Sequence, residues 1–271
     1  MLDKVFKYSR RFIPYRLKKI LAFFRDKIFN VFSVVIIETF SECNRRCSYC
    51  PNSKFDRGLI ENNKKLKTEL IYKVIDELAD LRWFGQIQFN FYNEPLLDER
   101  LPELIKYANS KLPACSFVVY TNGDYLTRDL YSILKKSGVT DFVITEHQKN
   151  NSNNMCNLLD FRKLNGNEHV NVVVRKLERF YSRGGLIKLS VEVGRPKRCL
   201  WGVYNFIVNY EGEAVLCCED YFNTVKLGNV GNEKMLDIWN KASYRQIRNE
   251  LKKGIFKYNI CKKCTTGSFD K

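Results

Sequence analysis

Two apolar spacings alternate along the first two thirds of the chain. Val34-Val35-Ile36-Ile37-Glu38-Thr39-Phe40 is a short, nearly continuous apolar run, the pattern of a strand buried on both faces. Residues 68–82 then place Leu70, Ile71, Val74, Ile75, Leu78 and Leu81 at helical spacing. Residues 86–92 alternate as a strand, and 98–111 return to a helical period with Leu101, Leu104, Ile105 and Ala108 apolar and Asp98 placed to cap the first turn. A third strand is predicted at 116–120 and a helix at 126–136 that Gly138 stops. A fourth strand follows at 141–145, leading to Glu146 and His147, and a fifth at 170–174. Strand and helix in regular alternation predict an α/β fold with a parallel, curved sheet.

Past Gly194 the pattern changes. Cys199-Leu200-Trp201 leads into a strand at 204–210, a turn at Glu211-Gly212-Glu213 and a second strand running to Cys217-Cys218, which reads as a β-hairpin with cysteines at its open end. A short helix, Met235-Leu236-Asp237-Ile238-Trp239, follows, and the chain closes through Cys261-Lys262-Lys263-Cys264.

Residues 1–33 carry nine Lys/Arg against Asp3 and Asp26, with Leu17, Leu21, Phe24, Ile28 and Phe32 near helical period between the charges. The unbroken apolar run Ile20-Leu21-Ala22-Phe23-Phe24 is too short to span a bilayer, and no small-residue cleavage site follows it. Such a helix either packs its stripe on the α/β domain or lies on an anionic membrane surface.

Composition is that of an ordinary globular chain, 271 residues with 45% hydrophobic and 28% charged. The net charge of +16 does change the picture, because it favours anionic partners: a phosphorylated or nucleotide-linked substrate, an acidic lipid or an acidic electron donor. No nucleic-acid-binding motif accompanies the charge, so no nucleic-acid partner is expected. Ten cysteines without a secretory signal point to thiolate ligands in a reducing compartment.

Directly after the first strand stand Cys43, Cys47 and Cys50, at spacing C-x3-C-x2-C. Three thiolates on one loop can hold three irons of a cubane [4Fe–4S] cluster and leave the fourth iron open. Structural zinc wants four ligands, and the trio has no neighbouring fourth, since the histidines are His147 and His169. Downstream, Cys199, Cys217 or Cys218, Cys261 and Cys264 can complete a four-thiolate site, for which zinc and an iron–sulfur cluster are equally satisfactory by count.

The trio, with the aromatic Tyr49 before Cys50, resembles the signature of the radical S-adenosylmethionine (SAM) enzymes. That resemblance implies a partial (β/α)6 TIM-like barrel with SAM bound to the open iron. Asn93-Glu94-Pro95 is similar to the family's segment that receives the SAM amino group: Glu94 matches its carboxylate, while Tyr92 and Asn93 stand where the family has glycines. Thr121-Asn122-Gly123 resembles the element lining the SAM pocket after the third strand. The family places catalytic groups at the C-terminal ends of strands, which makes Glu146 and His147 substrate-side or ribose-side candidates, and its carbohydrate dehydrogenases carry an Arg-x-Gly element matched by Arg183-Gly184-Gly185.

The order Cys199, G-x4-C at Gly212–Cys217, Leu227-Gly228-Asn229-Val230, Ile238-Trp239 and the closing C-x2-C resembles the SPASM/twitch extension, a small C-terminal β-hairpin/helix unit that binds an auxiliary [4Fe–4S] cluster. Its implied ligands are Cys199, Cys217, Cys261 and Cys264, with Cys218 spare. The expected organisation is a basic segment at 1–33, a barrel at 34–194 and the cluster extension at 195–271.

The implied function resembles that of the twitch-type carbohydrate dehydrogenases. A 5′-deoxyadenosyl radical takes hydrogen from a secondary alcohol carbon of a sugar or cyclitol, and the auxiliary cluster accepts the remaining electron, leaving a ketone. The cofactors would be two [4Fe–4S] clusters and SAM. A flavodoxin- or ferredoxin-type electron donor is implied, in a cytoplasmic setting with any membrane contact peripheral and through the N-terminal helix. Peptide modification, radical epimerisation of a sugar with a cysteine as hydrogen donor, and a non-enzymatic cluster scaffold are the alternatives.

Overall fold

The computed structural model describes residues 31–59, 61, 63–147 and 170–268; most of the basic N-terminal stretch, His169 and Cys156 lie outside them. Strand β1 (Val34–Ile37) sits between β2 (Gln86–Gln88) and β8 (Asn205–Val208), parallel to both. The sheet runs β5-β4-β3-β2-β1-β8-β9, where β3 is Ser116–Thr121, β4 Asp141–Glu146, β5 Asn171–Lys176 and β9 Ala214–Val215. Every neighbouring pair is parallel except β8 with β9. This is the mixed α/β, mostly parallel sheet of a partial TIM barrel. Its sixth parallel strand, β8, comes from the C-terminal part of the chain and lies beside β1, not beyond β5.

The helices returning between the strands are α1 (Thr68–Asp80), α2 (Leu101–Lys111) and α3 (Arg128–Ser137). Ile71, Val74, Ile75 and Leu78 of α1 are buried, as are Leu104 and Ile105 of α2 and Leu134 of α3. They pack with the outward face of the strands, including Val35, Ile37, Ile87, Phe117, Val119, Phe142 and Ile144, in one core. The alternate strand positions Ile36, Gln88, Tyr120 and Thr145 line a cavity on the inner face.

Boundaries moved where side chains found better partners. Helix α2 starts at Leu101, since the Asp98 carboxylate is taken by the Arg100 backbone N–H at 3.1 Å and its guanidinium at 2.9 and 2.8 Å. Helix α3 starts after Thr127, whose hydroxyl accepts from the Leu130 N–H at 3.1 Å, and ends at Gly138, whose φ of +120° suits glycine. Ladder pairing of β2 stops at Gln88, though the alternation read at 86–92 is real: Ile87 and Phe89 are in the core while Gln88 and Asn90 line the cavity.

The C-terminal part adds β6 (Phe180–Tyr181), β7 (Val191–Gly194), α4 (Trp201–Tyr204), α5 (Met235–Asn240), α6 (Ala242–Lys252), α7 (Asn259–Lys263) and β10 (Thr266–Ser268). A three-stranded sheet, β6-β10-β7, ties the chain's end back to the segment after β5. The β8–β9 hairpin turns at Gly212, with φ +79°. Phe32 is fully buried and meets Trp83, Phe206 and Trp239 at ring-centroid distances of 5.9, 5.2 and 5.3 Å, so both parts of the chain share one core. Among the described residues no helix is long and apolar enough to cross a membrane.

Candidate active site

The cysteine loop leaves β1 at the C-terminal edge of the sheet. Cys43, Cys47 and Cys50 are free thiols lining a cavity of about 460 Å³. Among the described residues no three Cys, His, Asp or Glu side chains converge on a point that would hold a single metal ion. A cubane cluster needs each thiolate to reach a different iron, and three thiols lining one cavity can supply that. Burial pushes the Cys43 thiol up to about 12 and raises Cys50 as well. A thiolate is costly there without the cationic irons beside it.

The same cavity is lined by Tyr49, Asn93, Glu94, Thr121, Asn122 and His147, so the fold gathers residues spread over a hundred positions. Glu94 is buried, and its carboxylate accepts from the Thr121 hydroxyl at 2.6 Å and from the N–H groups of Asn122 at 2.9 Å and Leu96 at 3.3 Å. Three of roughly four lone-pair positions are thereby used, and one remains for a further donor. Burial carries its acid up to about 7 against those hydrogen bonds. The Asn93 side chain turns back to its own loop, its amide oxygen accepting from the Phe91 N–H at 2.8 Å. Asn122 Nδ2 donates to Asn44 Oδ1 at 2.8 Å, joining the turn after β3 to the cysteine loop.

Tyr49 is hydrogen-bonded through its hydroxyl to His147 Nδ1, and the two rings stack at 6.0 Å. Cys47 Sγ is 3.9 Å from the same nitrogen. Burial, with Arg45 nearby, lowers His147 to about 4, so the imidazole is neutral near pH 7. Glu146 is not placed with it. The strand alternation that turns Thr145 and His147 inward puts Glu146 on the opposite face, so, against the expectation, the structure does not bring it into the cavity lining with His147.

Arg183 lines the cavity on the side of the C-terminal part. Its Nη1 donates to Glu219 Oε1 at 3.1 Å and to the Cys218 carbonyl at 3.4 Å, and its guanidinium lies 5.8 Å from the Tyr92 ring centroid. Its backbone is left-handed, φ +51°, a conformation non-glycine residues hold at a cost when surroundings enforce it. Arg183 Nε and Glu219 Oε2 are buried with no hydrogen-bond partner among the described residues.

A second cavity of about 430 Å³ is lined by Cys199, Cys217, Cys218, Cys261 and Cys264. The β8–β9 hairpin and α4 bring the first three together, and α7 brings the last two. Burial raises Cys217, pushes Cys261 to about 11 and Cys264 to about 12. This donor set has the all-sulfur chemistry of an iron–sulfur site. Arg179, Tyr181, Trp201 and Cys218 line both cavities and form the wall between them. Sequence reasoning missed Glu219 and, of the wall residues, Arg179 and Tyr181. Only the position of Glu219, directly after the paired cysteines, offered a signal.

Two family models match the chain: the radical SAM superfamily over residues 37–193, and SPASM, an iron–sulfur cluster-binding domain, over 199–265. The S-adenosyl-L-methionine-dependent 2-deoxy-scyllo-inosamine dehydrogenase of Niallia circulans is 29% identical over 245 residues, 88% of this chain and 94% of that protein. The crystal structure of BtrN in complex with AdoMet and 2-DOIA is similar with a TM-score of 0.76 and 28% identity, covering 86% of this chain and 93% of that one. BtrN in an open conformation gives 0.65, 26%, 86% and 91%. The two matched domains imply SAM and two iron–sulfur clusters as cofactors. The chain belongs to the radical SAM superfamily, as an enzyme of the oxidoreductase type carrying a SPASM cluster-binding domain.

Proposed function

We propose that the protein dehydrogenates a secondary alcohol of a cyclitol or related sugar, as the name of its relative from Niallia circulans describes for that enzyme. The observation that carries this reading is the shared wall: a cavity holding the cysteine trio abuts one holding five cysteines, with Cys218 facing both. When bound, SAM and the clusters supply the 5′-deoxyadenosyl radical that takes hydrogen from the carbinol carbon and an acceptor for the electron left behind.

The protein's own groups do the rest. Cys43, Cys47 and Cys50 hold the first cluster, and Cys199, Cys217, Cys261 and Cys264 the second. Glu94, with one lone-pair position free, receives the SAM ammonium, and Tyr49, Asn93, Thr121 and Asn122 shape the pocket around it. Arg183 holds the substrate oxygen and stabilises negative charge on it; an arginine stays protonated and is no base. Neutral His147 is the proton acceptor when its Nδ1–H is given to the Tyr49 oxygen and Nε2 is free. An acidic flavodoxin- or ferredoxin-type donor suits the +16 chain, and the thiolate-rich sites suit a reducing cytoplasm. Peripheral membrane contact through residues 1–33 falls on residues that are mostly outside those described.

The test is anaerobic reconstitution with SAM, a reductant and a panel of cyclitols and sugars. Ketone and 5′-deoxyadenosine in equal amounts are expected. Deoxyadenosine with no ketone, and with solvent deuterium appearing at the attacked carbon, would replace this reading by epimerisation. Cys218, a thiol facing the first cavity, is the specific observation favouring that alternative.

A further inference from the structure

The first cavity is lined by four arginines, Arg45, Arg175, Arg179 and Arg183, and by one carboxylate, Glu94. Two of the four are neutralised. Arg45 is paired with Asp124 and Arg183 with Glu219. Glu94 has already spent three lone-pair positions on Thr121, Asn122 and Leu96. That leaves Arg175, at the end of β5, and Arg179, just before β6, neither paired with a carboxylate among the described residues. Arg175 is held by its Nε, which donates to Thr145 Oγ1 at 3.2 Å, and lies 5.5 Å from the Tyr120 ring centroid. Arg175 and Arg179 are both exposed residues that line the cavity.

The cofactors do not remove this surplus. SAM carries a net charge of about +1 and an oxidised cluster on the three thiolates of this cavity about −1, so the two roughly cancel and leave Arg175 and Arg179 uncompensated. Arg179 lines both cavities, but the thiolates of the second also have Arg195 and Arg198, which line that cavity and not the first. A substrate bearing an ammonium group would meet two uncompensated cations and no free carboxylate. One bearing an anionic oxygen group would complete two charge-assisted hydrogen-bonded pairs, which the planar guanidinium fork forms best with phosphate or carboxylate.

Resting on the dehydrogenase reading of this cavity, we propose that the substrate is an anionic, phosphate- or carboxylate-bearing cyclitol or sugar held by Arg175 and Arg179, and not an aminocyclitol. The relative from Niallia circulans acts, by its name, on an inosamine, so the two proteins would share the reaction and differ in the charge of what they oxidise.

Calorimetric binding to the full chain, loaded with both clusters and SAM, tests this. The probes are myo-inositol 1-phosphate, glucuronate, uncharged myo-inositol and 2-deoxy-scyllo-inosamine. At least one anion is expected to bind about tenfold or more tighter than the uncharged and amine probes, since a hydrogen bond to a charged group is worth roughly a factor of ten or more. In the Arg175→Met/Arg179→Met double variant that preference should vanish, while the SAM-induced change in the cluster's electron paramagnetic resonance spectrum and the iron content stay as in wild type. The Arg→Lys pair, which keeps the charge and is the fallback should the methionine variant misfold, should retain a reduced preference. Equal binding of all probes, tighter binding of the amine, or an anion preference that survives both substitutions overturns the proposal. Ketone formation from the amine would overturn it and leave the dehydrogenase reading intact. Anion binding lost in the double variant, with no ketone from any probe, would uphold the anion site and overturn the dehydrogenase reading.

Discussion

Arg45 and Asp124 are joined by a two-pronged ion pair, Nε and Nη2 of the guanidinium donating to the two carboxylate oxygens at 2.6 and 2.5 Å. Asn44 Nδ2 adds a third bond to the same carboxylate at 2.7 Å. Residues 79 positions apart thus lock the cysteine loop after β1 to the turn after β3. Asp124→Asn removes the charge and the fork geometry together. We expect about 2 kcal/mol less stability in chemical denaturation, with weaker SAM binding by the reconstituted protein. Unchanged SAM affinity would show that the pair merely decorates the loop.

Arg57 is the second lock. It pairs with Glu38, a carboxylate with no exposed surface that also accepts from the N–H groups of Tyr92 at 3.1 Å and Tyr210 at 3.3 Å. The rings of Tyr210 and Tyr221 lie 4.9 and 4.7 Å from the guanidinium, and Arg57 also donates to the Tyr221 carbonyl. Arg57→Met leaves Glu38 buried and uncompensated, so a loss of about 3–5 kcal/mol is expected. The double variant with Glu38→Gln should recover part of that loss. A single-variant loss below 1 kcal/mol would mean water reaches Glu38.

Glu94 gives stability a pH dependence. Its folded acid sits at about 7 against 4.5 unfolded, raised by burial. A raised pKa means the folded state binds the proton more tightly, so this contribution is fully present below 4.5 and is lost as pH rises through 7. The size is about 3 kcal/mol. Thermal unfolding from pH 5 to 8 should therefore show wild type losing stability relative to Glu94→Gln across that window. A difference that stays flat would mean the three hydrogen bonds hold Glu94 ionised throughout.

Iron content reads both cysteine sets. Reconstituted wild type should hold about eight irons, and the Cys43/Cys47/Cys50→Ala variant about four. Zinc retained in place of the second four would remove the electron acceptor and turn the chemistry to redox-neutral reactions.

Cys217 and Cys218 should differ in the same assay. Cys217 lines only the second cavity, whereas Cys218 also faces the first and its thiol donates to Glu219 Oε1 at 3.6 Å. Cys218→Ser is expected to keep the wild-type iron content, and Cys217→Ser to lose the second cluster. The reverse result would exchange their roles.

The sequence by itself determined the local grammar. Ile71, Val74, Ile75 and Leu78 face one side because a helix repeats every 3.6 residues, and C-x3-C-x2-C is legible because one short loop must carry all three ligands. Residues that act within a few positions of one another leave a spacing to read. Glu219 beside Arg183 and Glu38 beneath Arg57 leave none, because each partnership is made by residues well separated in sequence. The same holds for β8 lying against β1, since strand order depends on which edge of the sheet has apolar surface to cover, not on any local pattern. Glu146 makes the point in reverse: its place at the strand's end made it a candidate along with His147, and the alternation of the strand leaves it out of the cavity lining. Spacing fixed which chemistry was available, and tertiary packing decided which side chains meet it, because a side chain's charge acts through space.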